Sequence, residues 1–200
     1  MRVLTRLGKD ARASVGAEFA LVLPIFLLFV LGTVDVGRMM WTWNRAEKAA
    51  QMGVRYAAVT DMADTGLADH DYYDDGIARG SPILDDTFGA TCTVDGCTCN
   101  TGGTCPGIGT FSDTAFANTV ARMQAIMPEI QPANVTIDYS YSGLGYAGDP
   151  YGPDINPLIT VKLSDVHFQP SLGYVFGVQI PLPSFASTLS MEDGRYAISN

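Results

Sequence analysis

Histidine is scarce in this chain of 200 residues, which has only His70 and His167. His70 sits among aspartates and His167 in an expected strand, and neither belongs to a catalytic signature. The G-x-S-x-G, P-loop, H-E-x-x-H and G-x-G-x-x-G patterns are all missing. The sequence therefore offers no nucleophile–base pair, phosphate cradle or metalloprotease helix. It reads as a non-enzymatic protein with no catalytic residue, cofactor or resident metal. Cationic side chains are few as well, 12 Lys and Arg against 21 Asp and Glu. Four of the twelve (Arg2, Arg6, Lys9 and Arg12) fall in the first 13 residues, and only Asp10 opposes them, for a formal +3. The remainder holds 8 basic and 20 acidic residues, a formal −12. An acidic surface without clustered Lys and Arg argues against nucleic acid or anionic lipid as a partner.

Long apolar runs are also rare, and the single exception organises the reading. Residues 19–34, FALVLPIFLLFVLGTV, carry no charge and directly follow Glu18. A basic flank before the run and an acidic chain after it predict a cytoplasmic N-terminus and an exported C-terminus. A cleaved secretory signal would need a small-x-small site beyond the run. The sequence there reads GTVDVGRMMWTW, a poor context for such cleavage. Proline is absent from residue 25 to residue 81. Apolar or small residues recur at Met39, Trp43, Ala46, Ala50, Val54 and Ala57, a helical rhythm. One helix is expected from about Ser14 to about Val59, its first half in lipid (span about 18–36) and its second half outside. The apolar run covers about 24 Å at 1.5 Å per residue, against a hydrocarbon core of about 30 Å. So short a span favours a subunit that can leave the bilayer for a protein bundle. Pro24 removes one backbone bond from the span, as a functional kink or as a tolerated break. Asp35 is expected at the headgroups, within reach of Arg38, with Trp41 and Trp43 forming an interfacial belt. A charge at the lip of an apolar span is costly unless partnered, which singles out Glu18.

The four cysteines lie within fourteen residues, as Cys92, Cys97, Cys99 and Cys105. In an oxidising compartment they read as two local disulfides, with all three pairings open. Zinc is the weaker alternative, because C-x4-C-x-C-x5-C matches no common zinc spacing. Residues 61–112 as a whole read as an acidic and cysteine-containing loop region. Its six aspartates between 61 and 75 lack EF-hand spacing, which favours a solvated loop over a calcium site. Residues 113–200 form the exported domain. Asp113 to Met127 is expected to be a helix capped by Asp113 and stopped by Pro128. Strands are expected over 135–141, 158–168 and 180–191, with Pro181 and Pro183 confining the start of the last to an edge or bulge. The segment SLGYVFG is expected to pack on the core or lie at the membrane. The fold class is α+β. A long N-terminal helix, transmembrane in its first half, packs on a small antiparallel sheet of three or four strands with one further helix.

The order Glu18-Phe19-Ala20-Leu21, Pro24, Asp35-x-Gly37-Arg38 and Ala49-Ala50-x-x-Gly53-x-Arg55-Tyr56-Ala57-Ala58 resembles the N-terminal region of TadE-like proteins. These are minor pilins or pseudopilins of the Tad/Flp (tight adherence) type IV pilus system, and the resemblance implies that the α+β fold is pilin-like. The likeness is close over about 45 residues and looser over the last 40. It implies processing by a prepilin peptidase that leaves Glu fifth and an aromatic residue sixth in the mature chain. Glu18 and Phe19 then place the cut between Ala13 and Ser14. The sequence departs from the family there, since the residue before the cut is usually Gly; cleavage after Gly16 would make Glu18 second. The resemblance further implies other pilins or pseudopilins, the prepilin peptidase, the inner-membrane assembly platform and membrane lipid as partners. The expected role is assembly of an adhesive pilus. The alternative is a single-pass anchored binding or scaffold domain that never polymerises.

Overall fold

The structure is a computed structural model that describes residues 11–84, 88–100, 105–149, 153–171, 173 and 177–191, without side chains for residues 11–14. Helix α1, Ala11–Ala57, runs without interruption through Pro24. It contributes to two compact units. The first comprises residues 1–42 and 168–180, the second residues 43–167 and 181–200. Residues 1–10 of the basic leader lie outside the described residues, as do parts of the cysteine loop (101–104), of the Gly/Pro connection (150–152) and of SLGYVFG.

In the second unit, Ala46, Ala49, Ala50, Gly53, Val54 and Ala57 line the buried face of α1. This follows the 3.6-residue period, and the small residues let neighbouring elements approach closely. A Cβ on Gly53 would stand 2.8 Å from Met123 Cγ and Sδ and 3.2 Å from Val161 Cγ1. The helix α3, Asp113–Gln124, buries Phe116, Val120 and Met123, and Met127 just beyond it is buried too. Its cap is Ser112, whose hydroxyl accepts the Ala115 N–H at 3.3 Å, and not Asp113 as the sequence suggested. Asp113 instead occupies the first turn, where its charge meets the positive end of the helix dipole.

The sheet has five antiparallel strands, more than the sequence implied. They are β1 (Ala90–Thr93), β2 (Gly96–Cys99), β3 (Val135–Ser140), β4 (Leu158–Leu163) and β7 (Phe185–Ser190), in the order β2-β1-β3-β4-β7. The two additional strands come from the cysteine segment, which forms a hairpin rather than an irregular loop. Val135, Ile137 and Tyr139 of β3 and Ile159, Val161 and Leu163 of β4 fill the core. The strand expected over 158–168 is not continuous. It breaks after Leu163, where Asp165 adopts φ 55°, a conformation aspartate tolerates better than most residues. The short β5 (His167–Phe168) follows. The run over 180–191 is likewise divided, into β6 (Ile180–Pro181) and β7. A short helix α2, Thr65–Asp69, appears within the acidic region.

Two tyrosines brace this core. Tyr139 Oη accepts the Ala63 N–H at 2.8 Å, whereas Tyr72 Oη is buried without a hydrogen-bond partner among the described residues. Burial pushes both phenols well above the ordinary tyrosine range, and nearby carboxylates add to the shift. The sign of the linkage follows. With the folded pKa raised, the stabilisation is fully present below the unfolded value of about 10 and is lost as pH rises through the folded value. Stability is therefore expected to fall above about pH 10, and circular dichroism of Tyr72→Phe/Tyr139→Phe should show a flatter alkaline limb. At neutral pH, Tyr139→Phe alone should cost about 1–3 kcal/mol, because it strands the Ala63 N–H. Tyr72→Phe removes no protein hydrogen bond and should be close to neutral.

Candidate functional site

In the first unit, the apolar residues of α1 face outward. Phe19 is 65% exposed and Phe29 71%, and Leu21, Ile25 and Phe26 behave alike. The helix is long and apolar enough to cross a membrane, with a mean hydropathy of 2.5 in its most apolar window. Such a surface is stable only when lipid or other apolar helices cover it. Ala13 and Ser14 lie in the first turn of α1, with Glu18 exposed one turn after Ser14. Four residues is the spacing that places Ser14 and Glu18 on one helix face. Pro24, also exposed, cannot donate to the carbonyl of Ala20, and α1 nevertheless continues past it.

At the other end of the apolar run, Asp35 is only 8% exposed. Its carboxylate meets Arg38 Nη1 at 2.8 Å, which is the expected i,i+3 pair. It does not simply face headgroups, however, because Ser171 donates to it from both backbone N–H and hydroxyl, each at 2.8 Å. Arg38 also donates to Ser171 Oγ at 2.7 Å, and its guanidinium stands 5.5 Å over the Phe168 ring. Ser171 is 136 residues from Asp35, and no local pattern announces it. Trp41 is exposed, whereas Trp43 meets Phe185 edge-on at 5.3 Å within the second unit.

The cysteines pair as neighbours, Cys92 with Cys97 and Cys99 with Cys105. Cys92 and Cys97 are also directly opposed in the β1–β2 register. The Asp64 carboxylate lies close to the first bridge, a grouping that at first resembles metal ligands. Bridged sulfurs are not thiolates, and metal binding needs the thiolate. Asp64 itself is fully buried, not solvated as the sequence suggested. It accepts the Leu67 N–H at 3.2 Å, which caps α2, and the Gly109 N–H at 3.0 Å. His70 Nε2 lies 2.6 Å from Asp75 Oδ2, and its ring meets Tyr72 edge-on. His167 is exposed on β5.

These features define a class: an N-terminal apolar helix of membrane-spanning length whose far half continues into a disulfide-bearing α+β domain. Residues 14–55 match the model of the TadE-like protein family, a likeness confined to the N-terminal helix. The match begins at Ser14 and ends within the second unit, leaving the sheet outside it. No curated protein and no solved structure matches the chain.

Proposed function

We propose that this protein is a minor pilin or pseudopilin of a Tad/Flp-type adhesive pilus, acting in initiation, priming or at the tip. It is inserted in the cytoplasmic membrane with its N-terminus inside and its α+β domain outside. Prepilin peptidase cuts it between Ala13 and Ser14, and the mature helix then leaves lipid for a bundle of other pilins at the assembly platform. The carrying observation is that the TadE-like match starts at Ser14, on a helix whose apolar surface is exposed throughout the span.

Cleavage frees an α-amine at Ser14 with an unperturbed pKa near 8, so it is mostly cationic at neutral pH. In the bundle, the Glu18 carboxylate of one subunit pairs with the Ser14 amine of a neighbour. Burying either charge without the other costs several kcal/mol, so the pair selects one stagger between subunits. The role is structural and requires no catalysis. Mass spectrometry of the mature chain should find Ser14 at the N-terminus, and Glu18→Ala should insert in the membrane yet fail to enter pili. An intact Met1, or normal piliation by the variant, would instead favour an anchored binding or scaffold domain.

A further inference from the structure

The two edges of the five-stranded sheet differ in how they are closed to further pairing. The backbone N–H and C=O groups along an edge strand are a template for another strand, and proteins guard them with short strands, charge, proline or bulges. The β2 edge is short, only Gly96–Cys99, and its last residue is bridged to Cys105. The β7 edge, Phe185–Ser190, has none of these guards. Its sequence FASTLS carries no charge, proline or glycine. It pairs with β4 residue for residue from Phe185 to Ser190, without a bulge. Among the described residues no strand pairs with its far side. Ala186, Thr188, Leu189 and Ser190 are all exposed.

The register identifies the open backbone groups. The Met191 N–H donates to Pro157 O at 2.9 Å, one step beyond the Ser190–Leu158 pair. Bonded pairs alternate along an antiparallel ladder, so Leu189, Ser187 and Phe185 bond to β4. The N–H and C=O groups of Ala186, Thr188 and Ser190 therefore turn away from the sheet. That set is self-complementary. When a second β7 runs antiparallel beside the first with Thr188 opposite Thr188, Ala186 of each copy faces Ser190 of the other. Every outward group of the strand then falls in a hydrogen-bonded pair. The Thr–Thr pair on the axis is favourable, and no like charges meet across it. On the core-facing side Leu189, 41% exposed, comes to lie beside Ser187 of the other copy and gains cover. A chain of net charge −9 repels its own copies over most of its surface. An uncharged edge that matches itself is where two copies can meet.

We propose that β7 is an interface for a second copy of this chain, paired antiparallel about Thr188 so that one sheet continues through both copies. Strand addition of this kind takes its affinity from main-chain bonds, and a two-fold axis lets one strand serve as both template and ligand. The interface involves the second unit alone, and it stands whether or not α1 spans a membrane or enters a pilus.

Disulfide trapping on the full chain, in enough detergent that few micelles hold two copies, tests both the pairing and its register. All four native cysteines are bridged, so an introduced thiol is the only free one. Thr188→Cys should cross-link to its own copy, because a bonded pair sets the Cα atoms about 5.5 Å apart, within reach of a disulfide. Ala186→Cys alone and Ser190→Cys alone should stay monomeric, since each stands about 14 Å along the strands from its own copy. An equal mixture of those two should give the mixed dimer. Adding Thr188→Pro to both removes an outward N–H, leaves the β4 bonds in place and should abolish that dimer. Thr188→Lys should do the same without touching the backbone, by opposing like charges on the axis. A Thr188→Cys thiol that cross-links to nothing overturns the proposal, whether it reacts with a maleimide (an open edge without a partner) or resists it (an edge covered by the chain itself). Equal cross-linking at all three single positions would reflect collision through another surface and overturns it as well. So does a mixed dimer that survives both Thr188→Pro and Thr188→Lys.

Discussion

Asp154→Ala should lower the unfolding free energy by about 3–5 kcal/mol, a large share of the 5–15 kcal/mol that holds a typical domain together. The residue is almost fully buried. Its Oδ2 accepts the N–H groups of Tyr72 and Gly148, each at 2.9 Å, and its Oδ1 accepts that of Asp149 at 2.8 Å. These bonds join the acidic segment to the loop after β3, and the backbone carbonyl of Asp154 adds the Tyr146 N–H at 2.9 Å. A hydrogen bond to a charged acceptor contributes about 1.5–3 kcal/mol, and alanine removes three at once. Shared partners make the losses less than additive, which sets the upper end of the range. Asp154→Asn keeps one acceptor oxygen and turns an NH2 toward the remaining donor, so it should fall between wild type and alanine. Chemical denaturation in detergent, followed by circular dichroism, measures the series. Asp74→Ala, at an exposed position in the same acidic region, should move stability by less than about 0.5 kcal/mol. Equal effects at the two positions would show that relief of negative charge governs stability, not the hydrogen bonds.

That contrast also marks the limit of what the sequence reveals. The long helix was legible because its signal is local. Ala46, Ala50, Val54 and Ala57 repeat at helical spacing, and nothing interrupts them. The buried face of α3 and its extension could be read at Phe116, Val120, Met123 and Met127 for the same reason. The alternation in VTIDYS gave β3 directly. The hairpin of β1 and β2 was hidden because each strand has four residues, rich in Thr, Gly and Cys, with little alternation of polarity. Its order comes from pairing with β3 and from bridging sulfurs, both invisible in composition. The buried carboxylates were hidden differently. Asp64 and Asp74 look alike in an aspartate-rich stretch, and what separates the one from the other includes the Gly109 N–H, 45 residues away. At the membrane end, Glu18 announced itself by standing beside an apolar run. Asp35 announced only Arg38, its neighbour in the helix, and not Ser171. Sequence reads such a site in part: the contribution from one helix is visible, and the contribution from a distant loop is not.

Reduction of both disulfides should cost about 4 kcal/mol, roughly 2 kcal/mol per bridge by the loop-entropy relation for such short loops. The sequence separations are only 5 and 6 residues, so each bridge removes little freedom from the unfolded chain. The two should still differ in their consequences. Cys92 is fully buried and sits opposite Ile137 of β3, so Cys92→Ala/Cys97→Ala loses core contacts as well as the cross-link. Cys99 is exposed at the end of the edge strand, and Cys99→Ala/Cys105→Ala loses chiefly the cross-link. Denaturation of the two double variants in detergent should place the first below the second. Hydrogen exchange after dithiothreitol should show where the loss falls. Amides of β2, an edge strand paired only with β1, should lose protection first, while those of β3, paired on both sides, retain theirs. Uniform loss across the sheet would mean that the hairpin nucleates the whole domain; no loss would mean that β1–β3 pairing holds the hairpin without its sulfurs. The expected middle result follows from the strand order, since β1 stays tied to β3 by hydrogen bonds that reduction leaves intact.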